Sequence, residues 1–140
     1  MGRLLGIDYG TKRCGIAVSD PLKMISSGLT TVASHELMKF LIEYMEKEVV
    51  ECIVVGKPMQ ADNRVSELFI HAERFVQSLK KRFPEMRIEW QDERYTSKLA
   101  VDAMVRGGMK KKNRMQKGNI DKISAALILQ AFMEEKNNNE

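Results

Sequence analysis

Leu4-Leu5-Gly6-Ile7-Asp8-Tyr9-Gly10-Thr11-Lys12-Arg13 decides how this chain is read. The run before Asp8 is apolar and short, the pattern of a buried strand. A carboxylate closing such a strand is costly unless something pairs with it, and a metal ion is one such partner. Gly6 and Gly10 flank the acid, a sign that backbone or ligand comes close there. Taken alone, Asp8 also fits a turn residue whose side chain bonds the local backbone. A second strand-like run, Cys14–Ser19, follows the Gly10-Thr11-Lys12-Arg13 turn. Arg3–Asp8 and Cys14–Ser19 are therefore predicted to form an antiparallel hairpin.

Further along, Ile25–Val32 reads as a third strand. Ser34 suits a helix N-cap, with Glu36 favourable in the first turn. Leu37, Leu41, Tyr44 and Met45 follow at helical spacing. Cys52-Ile53-Val54-Val55-Gly56 is continuously apolar and predicts a strand buried on both faces. Val65, Leu68, Phe69, Ala72, Phe75, Val76 and Leu79 mark a long amphipathic helix, which Pro84 stops. Arg87–Gln91 alternates as a strand and runs into Asp92-Glu93-Arg94. Thr96 or Ser97 can cap a helix through Met104, ended by Gly107-Gly108. Asn119 suits the N-cap of a last helix carrying Ile120, Ile123, Leu127, Ile128 and Ala131. Three strands followed by alternating helices and strands predict an α/β fold. The sheet is mixed and five-stranded, an antiparallel three-strand meander plus two parallel strands, flanked by helices. Residues 1–136 form a single domain, and 137–140 a frayed tail.

The chain has 140 residues and a net charge of +4, enough length for one domain with a real core. Its charge is uneven. Arg106, Lys110, Lys111, Lys112, Arg114 and Lys117 fall in one stretch without an acid. The other 17 of the 23 basic residues face 19 acidic ones. A basic cluster on a near-neutral body suits an anionic partner, although a solvated charge run has the same pattern. Cys14 and Cys52 lie in separate apolar runs and read as reduced core residues of a cytosolic protein. His35 and His71 are dispersed, which argues against a Cys/His zinc site. No secretory signal is visible, and no apolar stretch reaches the roughly 20 residues of a membrane span. A cytoplasmic location is expected.

Open α/β sheets place their chemistry at strand ends. Asp8 ends the first strand, Glu93 follows the last, and Asp121 lies early in the final helix. Asp20, Asp62 and Asp92 compete with them. Glu93 also suits a surface ion pair with Arg94, and Asp121 a simple helix-dipole contact.

Four motifs in order resemble the YqgF/RuvX family of pre-16S rRNA nucleases. They are Gly6–Arg13 with Ala17-Val18-Ser19-Asp20; Gly56-Lys57-Pro58; Asp92–Ser97; and Asp121–Ala126 with Ile128-Leu129-Gln130. Together they span residues 6–130. The match departs after Pro58, where Met59–Arg64 lacks a glycine, and at Ser124, where an apolar residue is common.

The resemblance implies an RNase H-like fold, related to Holliday-junction resolvases. It implies catalytic and metal-binding acids at Asp8, Glu93 and Asp121, holding two Mg²⁺ or Mn²⁺ ions, for which oxygen donors are the fitting ligands. Lys12, Arg13, Arg94, Lys110, Lys111, Lys112, Arg114 and Lys117 are the candidate nucleic-acid contacts. The implied activity is endonucleolytic processing at the 5′ end of pre-16S rRNA, with structured RNA as partner. A branched-DNA resolvase and a non-catalytic nucleic-acid binder are the alternatives. RNA trimming needs only a monomer, whereas a symmetric junction favours a homodimer. An ATP-binding protein of the actin or sugar-kinase type also opens on a strand and Asp-x-Gly-Thr, but it needs a second lobe that 140 residues do not supply.

Overall fold

The computed structural model describes residues 2–58, 66–92 and 117–138, with the side chains of 121–136 in the last segment. The elements are β1 (Arg3–Asp8), β2 (Arg13–Ser19), β3 (Ser26–Ala33), α1 (Leu37–Lys47), β4 (Val50–Lys57), α2 (Glu67–Arg82), β5 (Arg87–Asp92) and α3 (Lys117–Asn138). The strands form one sheet in the order β3-β2-β1-β4-β5. β1 pairs antiparallel with β2, and β2 with β3. β1 pairs parallel with β4, and β4 with β5. This is the mixed sheet expected from the sequence.

Alternation along the strands sends side chains to two covered faces. Leu5 and Ile7 of β1, Cys14 and Ile16 of β2, and Ile53 and Val55 of β4 meet Leu37, Leu41, Val76 and Leu79 from α1 and α2. Leu4, Ala17, Cys52 and Val54 face the other way and pack against Ala125, Ile128, Leu129 and Met133 of α3. The α3 residues recur at the spacing of one helical stripe. Because both faces of β1 and β4 are buried, their sequences read as unbroken apolar runs rather than as alternation.

Helix α3 lies close on the sheet. A Cβ at Gly15 would overlap the backbone carbonyl of Asp121, and one at Gly6 would sit 3.0 Å from both the Ala125 carbonyl and Leu129 Cβ. Glycine at these two positions is therefore a packing requirement.

Some sequence expectations shift. Ser34 does not cap a helix: Ser34–Glu36 form a 3₁₀ turn without a side-chain cap, and α1 begins at Leu37. The Ser34 hydroxyl is committed instead to the Gly10 carbonyl. Asn119 is not an N-cap either, since α3 already includes Lys117 and Gly118. The helix expected through Met104 lies outside the described residues.

Gly15→Ala is expected to cost about 3 kcal/mol or more, as overpacking against backbone does when neither side can yield. Gly6→Ala should cost about 1–2 kcal/mol, because its contacts at 3.0 Å require a shift of only a few tenths of an ångström. Thermal unfolding followed by circular dichroism checks the order. Equal, small shifts for the two variants would contradict a close α3–β2 contact.

Candidate active site

The carboxyl ends of β1, β4 and β5 lie at one edge of the sheet, because the three strands are parallel and in register: Ile7 opposes Val55, and Lys57 opposes Asp92. Asp8 sits at that edge, directly opposite Gly15 of β2. Its side shares the alternation of Leu4, which packs on α3. Above Gly15 runs the Asp121 backbone. The pairing of β1 with β2 and the pressing of α3 onto β2 thus bring together two acids 113 positions apart in the chain.

Arg13 joins them. Its guanidinium Nε lies 3.2 Å from Asp121 Oδ2, with both side chains partly exposed. Such an ion pair contributes little to stability in solvent, but it sets a cation beside the Asp121 carboxylate. Lys12 is exposed on the β1–β2 turn. Cys14, fully buried on the opposite face of β2, senses both acids. Burial pushes its thiol up, its contacts with Ser34 and Gly10 oppose that rise, and the charges of Asp8 and Asp121 push it up again.

The competing acids separate on geometry. Asp20 lies at the far end of β2, where its Oδ1 accepts the backbone N–H groups of Met24 at 2.7 Å and Ile25 at 2.8 Å. These bonds hold its carboxyl below the usual range and make it a turn residue. Asp92 reaches the acid edge, but it follows the alternation of Ile88 and Trp90, which pack toward α1 and α2. Gln91 takes the α3 side, donating to Glu135 at 3.2 Å. Asp62 lies outside the described residues.

Of the residues expected at the site, Asp8, Asp121 and Arg13 are brought together, with Lys12 on the adjoining turn. Glu93, Arg94, Lys110, Lys111, Lys112 and Arg114 lie outside the described residues. Lys117 is placed by its backbone in α3 only. Among the described residues no group of three His, Cys, Asp or Glu is arranged to hold a metal ion. The two described acids offer hard oxygen donors, the type that Mg²⁺ and Mn²⁺ accept. Both sit on regular elements, a strand end and a docked helix, which hold side chains more precisely than loops do. Sequence reasoning passed over Gly15 and took Ser34 for a helix cap. A glycine inside the otherwise apolar β2 run was the available signal for the first.

A layered α/β fold with acids gathered at the carboxyl edge of its sheet is the class these features define. The family model described as "RuvX: Holliday junction resolvase" matches residues 2–135. A Bacteroides thetaiotaomicron protein named "Putative pre-16S rRNA nuclease" is 53% identical over 136 residues, covering 97% of this chain and 99% of its own. A Christiangramia forsetii protein of the same name is 51% identical over 135 residues, covering 96% of this chain and 100% of its own. Among solved structures, Thermus thermophilus RuvC in complex with a Holliday junction substrate aligns with a TM-score of 0.58 at 18% identity, covering 95% of this chain and 96% of that one. That likeness is one of fold, the RNase H-like fold expected from the sequence. The chain belongs to the RuvX family of Holliday junction resolvase-like nucleases.

Cys14 is fully buried and Cys52 is 1% exposed, and burial pushes the Cys52 thiol up to about 11. At pH 8 roughly one Cys52 in a thousand would be thiolate. Both thiols are therefore expected to resist Ellman's reagent in the native protein and to react together on unfolding. Rapid stoichiometric labelling of the native chain would contradict this burial.

Proposed function

We propose that this chain is a metal-dependent endonuclease that hydrolyses phosphodiester bonds in structured RNA, acting in ribosome biogenesis at the 5′ end of pre-16S rRNA. The observation that carries the proposal is the meeting of Asp8 and Asp121 at the carboxyl edge of the sheet, with Arg13 on Asp121. Relatives about half identical over nearly the whole chain, named for pre-16S rRNA, favour that substrate.

Asp8, Asp121 and Glu93, the residue next in sequence after β5, would hold two Mg²⁺ or Mn²⁺ ions. Bound there, such ions supply charge neutralisation at the phosphate and an activated water. The protein's own residues supply placement. Asp8 is fixed by the β1 ladder, Asp121 by α3 and Arg13. Lys12 on the turn, and Arg94 beyond β5, are placed in the chain to meet backbone phosphates. The basic stretch with Lys110, Lys111, Lys112, Arg114 and Lys117 leads into α3 and would hold the strand through phosphate charge. RNA trimming asks only for a monomer, in the cytoplasm where ribosomes assemble.

The family description and the RuvC likeness favour one second reading, cleavage of a four-way DNA junction, for which a homodimer is the fitting form. No described helix is long and apolar enough to cross a membrane.

Asp8→Asn keeps the shape and removes the charge. It is expected to lower cleavage of a pre-16S 5′-flank RNA by roughly 100-fold or more, with folding intact. Undiminished metal-dependent cleavage by that variant would sink the proposal. A four-way DNA junction assayed beside the RNA separates the two substrates. Replacing Lys110, Lys111 and Lys112 by Gln should weaken RNA binding and lower the slope of log affinity against log salt by about 2. An unchanged slope would remove these lysines from the substrate path.

A further inference from the structure

Ser34 begins a 3₁₀ turn but caps no helix. Its hydroxyl donates to the Gly10 carbonyl, and its backbone N–H donates to the Lys12 carbonyl at 3.0 Å. Cys14 Sγ lies 3.4 Å from Ser34 Oγ and 3.7 Å from the Gly10 carbonyl. Counting hydrogens orders this cluster. A hydroxyl has one hydrogen to give, and a carbonyl only accepts. With the Ser34 hydrogen on Gly10, the Cys14 S–H is left to donate to Ser34 Oγ or to the Gly10 carbonyl. Burial favours this arrangement by keeping the thiol protonated.

The two carbonyls belong to the Tyr9–Lys12 turn, which runs from Asp8 to Arg13. One residue, 24 positions away from Gly10, therefore holds that turn at two points. Ser34 is itself anchored, since the preceding Ala33 pairs with Arg13 in the β2–β3 ladder. The held turn ends on the arginine that meets Asp121. It also exposes Lys12. An uncharged residue beside the acid edge thus bonds the turn that joins the acid, the lysine and the arginine.

We propose that Ser34 is a positioning residue for the phosphodiester-cleaving site, clamping the Gly10 and Lys12 carbonyls so that Asp8, Lys12 and Arg13 keep a fixed geometry. The inference rests on the nuclease reading above. Ser34 does not touch the substrate. Its loss displaces groups that do, and misplacement by about 1 Å can lower a rate by about 100-fold.

The test compares wild type, Ser34→Ala and Ser34→Thr. Cleavage of the 5′-flank RNA with Mg²⁺ is measured beside amide hydrogen exchange at residues 10–13 and 34. Ser34→Ala is expected to lower kcat by roughly 10- to 100-fold while KM stays within about threefold. Exchange in the turn should quicken by about tenfold or more. Ser34→Thr, which keeps the hydroxyl, should recover both. Where Ser34→Ala fails to fold, Ser34→Cys, with its weaker donor, is expected to show the same pattern in lesser degree. A kcat within about twofold of wild type for a variant lacking the hydroxyl, in a protein whose cleavage depends on Asp8, overturns the proposal. Unchanged exchange overturns it as well. Cleavage indifferent to Asp8→Asn marks failure of the nuclease reading itself. In that case quickened exchange at residues 10–13 still supports the clamp, and unchanged exchange still overturns it.

Discussion

Everything at the acid edge depends on how closely α3 lies on β2. Gly15 leaves no room for a Cβ beneath the Asp121 carbonyl, and Gly15 is the ladder partner of Asp8. One backbone contact therefore fixes the separation of the two acids. The apolar stripe of Ala125, Ile128, Leu129 and Met133 supplies the attraction that holds the helix down. At its other end, the same helix is tied to β5 through Gln91 and Glu135. The site is built where the helix and the strand ends meet, and its precision comes from the core behind it.

Two carboxylates in one place repel, so their neighbourhood must carry compensation. Arg13 provides part of it through Asp121. Like charges gathered without regard to stability are characteristic of functional sites, which tolerate local cost for a ligand's sake. Asp20 makes the contrast. Its carboxylate is satisfied by two backbone N–H groups of its own turn, and its place in the fold is explained by that alone. The cation that steadies Asp121 comes from a turn held in place by Ser34, so the electrostatics of the site and the hydrogen bonding of a neutral cluster are linked.

Much of this was legible in the sequence. The strand ending on Asp8 follows from an apolar run cut off by a charge, and its limits, Arg3–Asp8, are those observed. The parallel strand β4 follows from an unbroken apolar run, and α2 from its stripe and from Pro84. Ser34 was misread because a serine before a helical pattern has two uses for its hydroxyl. Local spacing cannot tell a cap from a bond to a turn 24 residues away. Asn119 failed for a similar reason: the helix begins earlier, among basic and glycine residues that carry no apolar period. The meeting of Asp8 with Asp121 rested on motif order alone, because Gly15 signals a close approach without saying which segment comes close.

The proposed function requires Asp8 and Asp121 to act as one divalent-cation site. Titration calorimetry of Mn²⁺ binding to wild type, Asp8→Asn, Asp121→Asn and the double variant tests it most directly. Each single change is expected to weaken binding by roughly tenfold or more, and the double variant to be little worse than either, the non-additivity of groups that share a ligand. Losses that simply add, or Mn²⁺ affinity untouched by either change, would contradict it.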